Sequence, residues 1–261
     1  VTVLSASWLA DEIRREATRL ALCACLAVGV AGCGGTEVGS SDASAELGAA
    51  CPDLPAGVSA SPRTIGQTVD FVNALVGASA SPLTLPCFMQ RLERPLAILG
   101  VNSRFSAQPA DGPRSPRIFS FFGANDLIMS VVPAGGASDR LELAEYPMPL
   151  ESIKAELAFP IAAPISSSLP YDRIRRGEGT ECGGCHRYEQ PAPQITITKA
   201  FVSGVFKPLD EEIVPIRSMQ GDAAACDPAQ EPYRCAMLGA ILGHGDVAAG
   251  AFPADAPTIY Q

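Results

Sequence analysis

The stretch Glu181-Cys182-Gly183-Gly184-Cys185-His186-Arg187 puts two thiols and an imidazole within five consecutive residues. Two cysteines separated by two residues, followed at once by histidine, form the C-x-x-C-H pattern by which a porphyrin is held covalently. The thiols add across its two vinyl groups, and the adjacent imidazole stands under the iron. Gly183 and Gly184 carry no side chains, so the backbone is free to lie close to such a ring. The same residues have competing uses. One is a short Cys182–Cys185 disulfide beside an incidental histidine. Another is zinc held by Cys182, Cys185, His186 and His244, which is awkward because the side chains of neighbouring residues 185 and 186 diverge. A thioredoxin-like dithiol needs the pair at a helix start in a βαβ context, and no such pattern is visible. With two histidines in the chain, no Ser/His/Asp set arises, and there is no phosphate-loop pattern.

At Cys182, Cys185 and His186 the chain resembles a c-type cytochrome. The resemblance covers five residues. It implies one covalent haem c, His186 as proximal ligand, and single-electron transfer to a redox partner protein rather than catalysis. It also implies a sixth iron ligand, ordinarily Met or His. Met219, in the turn-like run Pro215–Gly221, ranks first. Met237, in a run that reads as a short helix, and His244, between Gly243 and Gly245, follow closely. An open sixth position would shift the expectation toward ligand binding or peroxide chemistry. Haem propionates are anionic, and the most basic stretch past the leader precedes the motif, so Arg173, Arg175, Arg176 and Arg187 are candidate propionate contacts. A solvent-facing basic turn is the plainer use of any one of them. Small c-type cytochromes are mostly helical, whereas Gln190-Pro191-Ala192-Pro193 cannot extend a helix and 195–201 alternates like a strand. His186 is therefore expected on a turn or a stub of helix between β elements.

The chain has 261 residues, 47% hydrophobic and 18% charged, with a net charge of −9. That acidity repels nucleic acid, which is set aside as a partner. Arg14, Arg15 and Arg19 precede the apolar run Leu20–Gly32, too short to span a bilayer as a permanent helix, so residues 1–32 read as a signal peptide. Val30-Ala31-Gly32-Cys33 resembles a bacterial lipobox, which implies lipid on Cys33 and a membrane-anchored protein. No Asp follows Cys33, and by resemblance to lipoprotein sorting rules this points to the outer membrane, facing periplasm or exterior. Residues 33–50, rich in Gly, Ser and Ala, read as a flexible tether.

Setting aside Cys23, Cys25, Cys33 and the motif pair leaves Cys51, Cys87, Cys226 and Cys235, an even number suited to disulfides in an oxidising compartment. The simplest pairing is Cys51–Cys87 with Cys226–Cys235, and the two other pairings stay open. Thr64 and Gln67 have capping-box spacing ahead of Ile65, Val69, Val72 and Val76 on one helical face, with Gly77 as the stop. Leu96–Val101, Arg117–Phe122, Leu127–Val132, Arg140–Leu143 and Ile153–Phe159 read as short strands. The expected fold is mainly β with a few short helices (α+β): an antiparallel sandwich or barrel-like domain over 51–165, then an atypical haem-motif segment over 166–261. The function expected first is an envelope lipoprotein carrying electrons on one haem. The alternative is a cofactor-free, disulfide-braced β-domain lipoprotein with a structural or protein-binding role.

Overall fold

The computed structural model describes residues 50–186 and 188–258. The segments read as signal peptide and tether, through residue 49 and including the lipidation candidate Cys33, and Arg187 lie outside the described residues.

The fold is mainly β with short helices. A meander of five antiparallel strands forms its middle: β1 (Leu96–Val101), β2 (Arg117–Phe122), β3 (Leu127–Val131), β4 (Arg140–Met148) and β5 (Glu151–Ala158). The tight connections come from turn chemistry. Between β2 and β3, Ala124 and Asn125 both take positive φ (54° and 80°), the twist a two-residue hairpin needs. The chain after 166 then extends the same sheet at both ends. β8 (Gln190–Pro191) and β9 (Phe201–Gly204) add beyond β5, with Ser152 opposite Ser203. At the other end, β10 (Ile213–Val214) pairs antiparallel with the end of β1, and β11 (Val247–Ala249) pairs parallel with its start. The result is a mixed, open sheet of nine strands. It does not close into a barrel, and helices rather than a second large sheet form its next layer. A small hairpin, β6 (Arg175–Arg176) with β7 (Gly179–Thr180), stands apart.

Five short helices are described: α1 (Ile65–Ala78), α2 (Leu85–Gln90), α3 (Leu169–Ile174), α4 (Ile216–Ala224) and α5 (Pro232–Leu242). The Thr64 hydroxyl caps α1 by accepting from the Gln67 N–H, while Gln67 Oε1 accepts from Arg63 N–H, one residue earlier than a reciprocal capping box would have it. Ile65, Val69, Val72 and Val76 are all buried, as the four-three-four spacing requires. Glu145 of β4 accepts from the Ile65 N–H at 2.7 Å and so ties the start of α1 to the sheet. α2 and α4 depart from the sequence reading, which saw a turn at Met219. Thr84 caps α2, and Pro215 opens α4 without a side-chain cap. Among the described residues no helix is long and apolar enough to cross a membrane.

Strand alternation divides the sheet into two unlike faces. Leu96, Ile98, Ile118, Leu127, Met129, Leu141, Leu143, Ile153 and Leu157 point one way and merge with Ile65, Phe71, Phe88, Met219, Met237 and Ile241 into one apolar core. Gly100 has the same parity. A Cβ there would lie 2.5 Å from Met219 Sδ, so glycine lets α4 seat its methionine on β1. Disulfides Cys51–Cys87 and Cys226–Cys235 brace this side, holding α2 and the α4–α5 connection. The opposite face carries Arg117, Ser130, Glu142, Lys154 and Glu156.

Candidate functional site

The polar face is covered by irregular chain rather than helices, and the motif lies in that cover. A turn of 3₁₀ helix, Glu181–Gly184, opens with the Thr180 hydroxyl accepting from the Cys182 N–H at 3.1 Å. The His186 N–H then closes onto Cys182 O at 2.8 Å. The expected turn or stub of helix is this one. The alternating run 195–201, by contrast, is not a strand before Phe201. Thr198 instead donates to Asp172 at 2.7 Å, which holds that loop to α3.

Between the motif and the sheet lies a cavity of about 160 Å³. Cys182, Cys185 and His186 line one side. Arg117, Phe119, Ile128, Ser130, Glu142, Ala144 and Lys154 line the strand side, and Val205 to Leu209 lie along the edge. Cys182 and Cys185 carry free thiols, while the other four described cysteines are bonded. Burial, reinforced by Glu142, pushes the Cys182 thiol up to about 11, so it stays protonated at neutral pH. A reactive dithiol pair depends on a depressed thiol, so this setting does not suit thioredoxin-like exchange.

His186 is anchored by its ring. Nδ1 lies 2.8 Å from Gly204 O, an acceptor, so the proton sits on Nδ1 and Nε2 keeps its lone pair. The Phe206 ring packs against the imidazole at 5.4 Å. Burial, with Lys154 adding to it, holds the imidazole pKa down at about 3, so the ring is neutral across the physiological range. A neutral imidazole with Nδ1–H fixed on a backbone carbonyl is the state in which histidine ligates a metal through Nε2. Two free thiols and this imidazole on one cavity wall fit the demands of a covalent haem.

The charges around the cavity form a row across the strands. Arg117 ion-pairs with Glu142 and hydrogen-bonds Ser106, and its Nη2 lies 2.8 Å from Ser130 Oγ. Glu142 stands opposite Glu156 on β5, and Glu156, 5% exposed, takes Arg173 at 3.1 Å and Arg140 at 3.5 Å. Burial raises the Glu156 carboxyl against the pull of those arginines. The arginines ahead of the motif are therefore engaged elsewhere: Arg173 with Glu156, Arg175 with Asp172 at 3.1 Å, Arg176 with Glu181 at 2.7 Å. None of the three lines the cavity, and each is held by a carboxylate, from β5, α3 and the motif turn in turn. The basic side chains that do line it are Arg117, Lys154 and Lys207.

The proposed sixth ligands are not brought to His186. Met219 and Met237 are wholly buried in the helix-side core, and His244 is exposed beside Gly245 at φ 115°. None of them lines the cavity. Among the described residues no three His, Cys, Asp or Glu side chains are grouped as a metal site, so the fourth zinc ligand proposed at His244 is not joined to the motif. That count says nothing against haem, which needs one imidazole from this wall.

Glu189 was not singled out in the sequence. Its carboxylate accepts from the Thr180 N–H at 2.7 Å and from the Thr180 hydroxyl at 2.5 Å. A Cβ on Gly183 would meet Glu189 Oε2 at 2.8 Å, whereas one on Gly184 would meet nothing within 4 Å. The first motif glycine thus makes room for the carboxylate that holds the loop. Only the capped turn Thr180-x-Cys182 could have hinted at this. No protein-family model, curated protein or solved structure matches the chain, so the reading of this site rests on its own residues.

Proposed function

We propose that the protein is an envelope lipoprotein that binds one haem c covalently and carries single electrons. Cys182 and Cys185 would form the thioethers, and His186 would offer Nε2 to the iron. The observation that carries this reading is the imidazole itself: neutral, fixed through Nδ1 on Gly204 O, and set beside two thiols left free where the other described cysteines are bonded. When bound, the haem supplies one-electron redox chemistry. Gly204 and Phe206 orient the imidazole, and Glu189 and Thr180 hold the motif turn. Lipid on Cys33 would keep the protein at the membrane, within reach of a redox partner protein.

The test is intact mass after export in cells with an active cytochrome-maturation system. Addition of one haem mass that survives reduction and denaturation is the expected result, together with a visible absorption spectrum. A colourless protein of unmodified mass, or one carrying a Cys182–Cys185 disulfide, ends the reading. The other reading, a cofactor-free disulfide-braced lipoprotein, is favoured by one observation. The helix-side core and both disulfides are complete without any contribution from the cavity.

A further inference from the structure

Among the described residues the cavity contains one basic side chain without a partner. Lys154 sits on β5 opposite Ala144, whose small side chain leaves space above the strand. Among the described residues Lys154 has neither a hydrogen bond nor an ion pair, although it is half-buried and lines the cavity. Its amine is close enough to Cys182 and His186 to act on both electrostatically. A buried ammonium without a partner is costly, and the usual remedies are a counter-charge or loss of the proton. The obvious counter-charge, Glu142, is already committed to Arg117.

The other side chains able to bind iron are less suited. Lys207 donates to Ala254 O at 2.7 Å and Glu181 is paired with Arg176. Glu212 is partly exposed on the 3₁₀ turn Asp210–Glu212, and the Tyr146 phenol would have to give up a proton that burial makes harder to lose. No methionine or second histidine lines the cavity.

We propose that Lys154, which shares the cavity with His186, would supply the sixth ligand of the iron through the lone pair of its neutral amine. This rests on the haem reading above and replaces Met219, Met237 and His244 in that role. Ligation uses the neutral amine, so the ammonium proton passes to solvent when the site is loaded. The strand wall thereby gains a partner for its one uncompensated amine, and the iron gains a second nitrogen donor.

The full chain, matured with haem, distinguishes the outcomes. Wild-type ferric protein is expected to be low-spin and to lack the far-red sulfur-to-iron charge-transfer band of His/Met ligation. Lys154→Ala and Lys154→Arg are expected to keep the haem mass but lose the low-spin signal in electron paramagnetic resonance and absorption. Added ethylamine should restore low spin in the Ala variant. The Arg variant keeps the positive charge without a lone pair, so it separates ligation from charge and covers the case in which Ala misfolds. If haem is attached and both variants stay low-spin, if Arg alone preserves the wild-type spectrum, or if the sulfur band is present, Lys154 is not the ligand. If the wild-type chain acquires no haem mass at all, the haem reading itself fails and this inference falls with it.

Discussion

The two faces of the sheet are made by the same strands, yet they follow opposite rules. On the helix side most alternate residues are apolar and buried, with Ser120 and Glu145 as exceptions, the helices fill the gaps, and two disulfides close the edges. On the other side Arg117, Ser130, Glu142, Lys154 and Glu156 stand among apolar Phe119, Phe121, Ile128 and Ala144, and the cover is loop, 3₁₀ turn and short hairpin around a cavity. Apolar burial stabilises the first face. The second buries charge, which stabilises little or even costs stability unless each group finds a partner. A protein that places charged residues under a cover, and leaves one without a partner, has given up stability at that place.

This contrast is open to direct attack. The largest effect is expected from Phe88→Ala, since Phe88 is wholly buried between Phe71 and Phe159, with centroids 5.3 and 5.7 Å away. Truncation there should cost about 3–5 kcal/mol. Phe119→Ala on the cavity side, where the ring is partly exposed against Phe252, should cost roughly 1–2 kcal/mol. Urea unfolding midpoints compare the two, and equal losses would remove the distinction between the faces.

A smaller effect of opposite sign is expected at Lys154. In protein without haem, Lys154→Met keeps the aliphatic stem and removes the unpartnered amine. It should raise stability by roughly 1 kcal/mol near pH 7. A loss of stability would mean that the amine has a compensating partner and that the cavity side is as well satisfied as the core.

The smallest effect concerns Glu145, which binds the start of α1 from the helix side. Burial raises its carboxyl above the ordinary value, against the lowering effect of the Ile65 N–H. The folded state then binds the proton more tightly than the unfolded one. The Glu145 contribution to stability therefore falls as pH rises from the ordinary carboxylate value through the raised one. Glu145→Gln should abolish that slope and change stability at neutral pH by less than about 1 kcal/mol. Chemical denaturation of both proteins from about pH 3 to about pH 7 reads it. A wild-type advantage that grows with pH would show the helix N-terminus outweighing burial.

Much of the frame could be read from local patterns. Thr64 with the 65-69-72-76 stripe gave α1, and the short apolar runs at 96–101, 117–122 and 127–132 matched β1 to β3 within a residue. Periodicity reports such elements because their burial repeats along the chain. It misled at 195–201, where alternating residues belong to a loop held by Thr198 and Asp172, and at Met219, where a helix lacks a side-chain cap to announce it. The arginines beside the motif looked available for propionates because sequence proximity was the only measure at hand. Carboxylates from β5, α3 and the motif turn take them in the folded chain.

What the sequence by itself determined is local: a thiol-thiol-imidazole triplet on a turn, short apolar or alternating strands, and four cysteines left over for two disulfides. What only the tertiary structure decided is which polar face is covered, and by what. Lys154 reads as one more solvent-facing residue of an alternating strand. It becomes a half-buried amine because the chain from 175 to 209 crosses back beside β5 and sets His186 on the same cavity, a juxtaposition of residues more than thirty apart that no local spacing encodes.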